Sequence, residues 1–178
     1  MSKNAGKKDL RWRIEHAQHL DTADIPRFGK LGVIAAMQGI HCTSDAPFVV
    51  KRLGAFRSQT GAYAWKSLLN SGAVVTNGTD APVEDVDPLS SFYASVTRKR
   101  SDYELTFFPE QSMTRHEAIK SYTLAAAYSA FEDHIKGSLT PGKWADFIML
   151  SNDLIHCGDA EILNTEVLKT WVGGKLVY

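Results

Sequence analysis

The chain has only two cysteines among its 178 residues, Cys42 and Cys157, and they fall in no Cys-x-x-Cys or Cys/His spacing. That excludes a zinc finger and a disulfide framework and predicts two reduced thiols. Net charge is absent too, because twenty basic residues cancel twenty acidic ones. The only basic concentrations, Lys3 with Lys7-Lys8 and the run Arg98-Lys99-Arg100, are too short for a nucleic-acid footprint and read as solvated faces. No apolar run approaches the roughly 20 residues of a membrane span, and Met1 to Asp9 carries positive charge with no apolar stretch behind it. These absences predict a soluble, cytoplasmic protein with neither nucleic acid nor membrane as a partner. No repeat or low-complexity tract is visible. What is present, 44% hydrophobic residues with 10% aromatics, is the composition of a globular protein with a sizeable core.

The most informative stretch is the apolar run Gly72-Ala73-Val74-Val75-Thr76-Asn77-Gly78-Thr79-Asp80-Ala81-Pro82. It reads as a buried strand opening into a loop, with Val74, Thr76, Gly78 and Asp80 on one face by the two-residue period and Pro82 ending the ladder. A second run, Arg11 to His19, ends in imidazoles in the same manner, so two strands deliver one His and one Asp. Each alone is more often a turn former or a satisfied polar residue. Their shared placement at strand ends, where barrel enzymes keep their chemistry, makes them a candidate site.

Asp21 to Gly32 carries helix start and stop chemistry, Val33 to Gln38 is a continuous apolar strand, and Gly39 to Pro47 reads as a polar loop. Tyr63 to Asn70 predicts a helix stopped by Gly72. The order strand, helix, strand, helix, strand, with every strand buried on both faces, is that of parallel βα units. Asp87-Pro88 then starts a helix to about Val96, and the capping box Thr114-Arg115-His116-Glu117 opens a long helix to about Phe131. That helix presents Ala118, Tyr122, Ala125, Ala126 and Tyr128 as a face suited to close packing on a sheet. The tail is β: a strand over 145–150 after the turn Thr140-Pro141-Gly142, and a hairpin turning at Gly173-Gly174.

Taken in order, Arg13-Ile14-Glu15-His16-Ala17-Gln18, Met37-Gln38-Gly39-Ile40-His41, Gly78-Thr79-Asp80-Ala81-Pro82-Val83, Gly137 to Asp146 and Thr170-Trp171-Val172-Gly173-Gly174 closely resemble the YtcJ-like branch of the amidohydrolase superfamily. The resemblance covers nearly the whole chain. It implies an α/β fold in which residues 1–136 are a partial TIM barrel, the last three βα units of a (β/α)8 barrel, and residues 137–178 a small C-terminal β-sandwich module. It further implies a hydrolase of non-peptide C–N bonds that depends on a divalent metal, usually zinc. By motif, His16 corresponds to a metal ligand and Asp80 to a residue that is both metal ligand and catalytic base. His41 matches a position suited to touching a small amide-type substrate.

The family's other ligands, a His-x-His and a further His on earlier strands, have no counterpart here, and residues 1–10 hold no histidine. Zinc needs three or four ligands. The expectation is therefore a C-terminal portion, inactive by itself and completed by an N-terminal segment, or else a homo-oligomer. A competing reading is a non-catalytic chain that serves only with such a segment. Two points stay open in the residues themselves. If His16 faces a lumen, Arg13 and Glu15 turn toward the helix layer, where they either pair with each other or a bulge changes the parity. Arg52 and Arg57 flank the segment between the second and third strands, and either, with Arg57 preferred, could clamp a substrate carboxylate or carbonyl. Trp65, Phe56, Phe92 and Tyr93 are better read as core than as pocket.

Overall fold

A computed structural model describes residues 9–100 and 105–178. Its first sheet is formed by β1 (Arg13–Glu15), β2 (Ile34–Gln38) and β3 (Val75–Gly78), in that spatial order. Both pairings are parallel, with Arg13 opposite Ile34 and Ala35 opposite Val75. Parallel neighbours require crossovers, and helices supply them. Between β1 and β2 lies α1 (Ile25–Leu31), with a proline in its first turn and Gly32 as a left-handed cap. Between β2 and β3 lie α2 (Gly39–Leu53), α3 (Ala55–Gly61) and α4 (Trp65–Asn70).

After β3 comes α5 (Pro88–Thr97), whose first turn is capped by the Asp87 carboxylate, accepting from the backbone N–H groups of Leu89 and Ser90. The capping box at Thr114 and Glu117 forms as expected and opens α6 (Arg115–Tyr122). The long helix expected here is broken, however: Thr123 leaves the helical region with ψ −89°, and the chain restarts as α7 (Leu124–Ser129). The break lets two short helices pack on β3, burying Ala118, Ala125 and Ala127. The core gathers Met37, Cys42, Trp65, Leu68, Val75 and Phe92 around the sheet.

The tail is an antiparallel sheet of β4 (Phe147–Leu150), β5 (Val167–Val172) and β6 (Lys175–Leu176), with α8 (Asp159–Ile162) between the first two strands. Gly173 and Gly174 turn the hairpin at φ 56° and 76°, the positive values that a two-residue turn demands. Among the described residues no helix is long and apolar enough to cross a membrane.

Three further expectations need correction. Gly39 to Pro47 is not a loop but most of the first three turns of α2. Gly, Ser, Asp and Pro read locally as loop formers, yet Cys42, Ala46 and Val49 repeat at helical spacing and are buried, and that burial outweighs the hydrogen bond Pro47 removes. The strands are not all buried on both faces, because β2 is buried while every residue of β1 is exposed. Finally, Arg98 is not solvated: it is 0% exposed, donates to the carbonyls of Phe107 and Tyr63, and lies over the Trp65 ring. Lys3, Lys7 and Lys8 lie outside the described residues.

Candidate metal centre

The C-terminal ends of the three parallel strands lie side by side, and each is followed by one group able to bind a metal. His16 follows β1, His41 sits in the first turn of α2 directly after β2, and Asp80 follows β3. One ligand atom from each lies within 4.8 Å of the other two. Asp80 Oδ2 is 4.0 Å from His16 Nδ1 and 3.8 Å from His41 Nε2, and the two rings stack with centroids 6.0 Å apart.

The strand period does not carry these side chains into place. β1 ends at Glu15 and β3 at Gly78, and beyond them His16, Ala17 and Asp80 adopt positive φ values of 65°, 42° and 60°. Non-glycine residues in this region cost on the order of 1–3 kcal/mol each and cluster at functional sites. Arg13 and Glu15 do pair, at 2.9 Å, and the β1–β2 ladder runs without a bulge, so parity changes in the left-handed turn after Glu15 instead.

His41 is held through its backbone. The N–H groups of Gly39 and Ile40, unpaired within the helix, donate to Asn77 Oδ1 at 2.8 Å and Ser91 Oγ at 3.2 Å. Asn77 donates onward to Ser95 Oγ, and Ser95 to the Ser91 carbonyl. A Cβ on Gly39 would stand 2.2 Å from Ser95 Oγ and 2.4 Å from the Ser91 carbonyl oxygen, so only glycine allows α2 this close to α5. His16 Nδ1 also lies 2.9 Å from Gln38 Oε1, the last residue of β2.

Whether this cluster suits a metal can be judged from His41. It is 8% exposed, and its Nε2, fully enclosed, has no hydrogen-bond partner among the described residues although it faces Asp80. A buried polar atom left unsatisfied costs roughly 1–3 kcal/mol, a cost that a metal ion or a substrate group at Nε2 would relieve. Two imidazoles and one carboxylate are also a donor set that zinc accepts. Counted as three ligands, the residues fit the group.

Arg57 lies elsewhere. On α3 it lines a cleft of about 250 Å³ with His19, Asp21 and Phe56, whose walls do not include His16, His41 or Asp80. Burial, opposed by Asp45 and assisted by the Arg57 charge, holds the His19 imidazole below its ordinary pKa. Of the aromatic candidates, Trp65 and Phe92 are core residues and Phe56 is exposed. Sequence reasoning missed Gln38, Asn77, Ser91 and Ser95 as supports of the site. Once α2 is known to be a helix, its N-terminal N–H groups require such partners, and that was the available signal.

The profile of the amidohydrolase family matches residues 2–178. The chain belongs to that family. It is 34% identical over its whole length to the putative amidohydrolase YtcJ of Bacillus subtilis, covering 34% of that protein. Over 97% of its length it is 40% identical to Protein LONG AFTER FAR-RED 3 of Arabidopsis thaliana, covering 30% of it. This amidohydrolase-family chain thus spans about a third of the length of these curated relatives. Among solved structures, an uncharacterized metal-dependent hydrolase from Pyrococcus horikoshii superposes with a TM-score of 0.72 at 31% identity, over 83% of this chain and 30% of that one. An adenosine deaminase from Xanthomonas campestris with bound zinc shares the fold at a TM-score of 0.65 and 17% identity, over 92% of this chain and 36% of its own.

Proposed function

We propose that this chain forms the last three βα units of an eight-stranded barrel with a small appended β module over residues 137–178, and that in the complete barrel it serves a metal-dependent hydrolase of non-peptide C–N bonds. The observation that carries the reading is the convergence of His16, His41 and Asp80 at the C-terminal ends of three adjacent parallel strands, the end at which such barrels do their chemistry. A divalent ion, with zinc favoured by the imidazole–carboxylate donor set, would be held by His16 and Asp80 and would supply Lewis acidity, bringing the pKa of a water toward neutrality and polarising the substrate carbonyl.

The remaining chemistry belongs to the chain's own residues. The Asp80 carboxylate takes one proton from the attacking water as oxygen bonds to the carbonyl carbon, and returns it to the departing nitrogen as the C–N bond breaks. His41 Nε2, when protonated, donates to the carbonyl oxygen as negative charge gathers there. An arm of the substrate that reaches the α3 cleft would meet the Arg57 guanidinium, a partner for a carboxylate or carbonyl.

With His41 reserved for substrate, His16 and Asp80 are two donors, short of the three a catalytic zinc needs. The 178-residue chain is therefore expected to bind zinc weakly and to hydrolyse little. In a protein with the complete barrel, Asp80→Asn should keep its metal and lose turnover by about 10²–10⁴-fold. His16→Ala should lower metal occupancy first. Metal analysis alongside turnover on a panel of N-acyl substrates reads both, and full activity of Asp80→Asn would remove Asp80 from the mechanism. The unpartnered His41 Nε2 favours a second reading, in which His41 is a third ligand. Stoichiometric tight zinc in this chain, lost in His41→Ala, would select it.

A further inference from the structure

His16 and Ala17 are consecutive left-handed residues, and neither is glycine. Such a bend persists only where its surroundings hold it. The next residue, Gln18, is anchored at three points. Its carbonyl accepts from the Tyr63 backbone N–H at 2.8 Å, and its side-chain Nε2 lies 2.7 Å from Asp45 Oδ2 and 2.7 Å from the Tyr63 hydroxyl. The Tyr63 hydroxyl donates to that same Asp45 oxygen. Tyr63 is itself fixed, being 2% exposed and accepting from buried Arg98 through its carbonyl. Just beyond, the Leu20 N–H donates to the Gly61 carbonyl at 2.9 Å, and a Cβ on Gly61 would meet the Leu20 carbonyl oxygen at 2.0 Å.

Asp45 stands four residues after His41, one turn along the same helix. The cluster therefore ties the bend that bears His16 to the helix that bears His41. The short β1–β2 ladder and the His16–Gln38 contact are the other ties between them, but β1 is only three residues long and each of its residues is exposed. The geometry points to Gln18, Asp45 and Tyr63 as positioning residues that set the separation of His16 from His41. This rests on the metal-dependent reading of the site, where that separation decides whether donor and substrate contact converge on one point.

The test uses the whole 178-residue chain without metal and reads the nuclear Overhauser contact between the His16 and His41 ring protons. A melting curve for each variant and a Zn(II) titration accompany it. Gln18→Leu and Asp45→Leu are expected to lose the contact and to weaken Zn(II) binding about 10–100-fold, the usual effect of removing an outer partner of a metal site. Asp45→Asn, whose amide oxygen still accepts from both neighbours, should restore both readings. Tyr63→Phe keeps the ring in the core and is the safest variant for folding; it should weaken the contact. A folded Gln18→Leu or Tyr63→Phe with the contact at full strength, and only a lower melting temperature, would overturn the inference, as would absence of the contact in the unsubstituted chain. If the contact behaves as expected but Zn(II) moves neither ring's resonances, the positioning role stands and the metal-dependent reading falls.

Discussion

Burial decides reactivity at the scale of single residues. Cys42 is fully enclosed in the core, and burial, partly offset by the Arg98 charge, pushes its thiol up to about 12. Thiolate is the reactive form, so Cys42 should be inert to a thiol reagent at neutral pH while the chain is folded. Cys157 is half-buried against Arg115 and should label first. Counting modified thiols against time checks this: one fast label and one that appears only with unfolding is the expected result, and two fast labels would contradict the packing around α2. Arg98 shows how far a residue's surroundings can override its type. In a run of three cations it reads as surface, but two backbone carbonyls and the Trp65 and Phe107 rings form a ready-made pocket for a guanidinium.

Among the secondary-structure elements, α2 and α6 illustrate two different sources of order. The start of α6 is local: Thr114 accepts from the Glu117 N–H at 3.2 Å while the Glu117 carboxylate accepts from the Thr114 N–H at 2.7 Å. Lys66 adds an ion pair to Glu117 at 2.7 Å. Burial works to raise the Glu117 pKa, but the Lys66 and Thr114 hydrogen bonds together hold it below the ordinary value. A lowered carboxylate pKa contributes stability above the unfolded Glu range, near 4.3, that is lost as pH falls through the lower folded value. Glu117→Gln, which can still close the capping box, should therefore be less stable than wild type by on the order of 1 kcal/mol at neutral pH. That gap should close on acidification, and melting curves at stepped pH would show a constant gap if the pair contributes nothing.

The start of α2 is tertiary, resting on Asn77, Ser91 and the closeness Gly39 permits. Gly39→Ala should force α2 from α5, costing about 1–3 kcal/mol as overpacking does. The measurement is denaturant unfolding together with the His16–His41 ring contact. An unchanged midpoint would mean that α5 yields at no cost. These cases divide what was legible in the chain from what was not. The capping box, the Asp87 cap, the Gly173-Gly174 turn and the apolar runs of β2 and β3 depend on neighbours within a few residues, so their residue types announce them. The helical state of Gly39 to Pro47 and the break at Thr123 depend on partners far along the chain, which local propensity does not contain.

Across the whole molecule, apolar side chains remain uncovered at several places, and two of them lie on or beside open sheet edges. Trp12, just before the edge strand β1, and Ile14 within it are 59% and 46% exposed, and Phe147, Ile148 and Leu176 are exposed on the tail sheet. Open sheet edges and apolar patches promote association. Sedimentation of the chain at rising concentration should show an average mass above 19.7 kDa. Ile14→Lys with Ile148→Lys should reduce it. A monomer at every concentration would show that these patches are too small to drive contact.

By itself the sequence determined which residues were available for chemistry and at which strand ends they fall, because motif order and strand period are properties of the chain read along its length. His16, His41 and Asp80 could be named from it. Only the tertiary structure decided that they meet within 4.8 Å of one another, and did so through left-handed turns at His16 and Asp80 that the strand period opposes. The reason is energetic: such turns are unfavourable locally and persist only because contacts from elsewhere in the chain hold them, Tyr63 and Asp45 beside the His16 turn and Ser91 of α5, donating to the Gly78 carbonyl, just before the Asp80 turn.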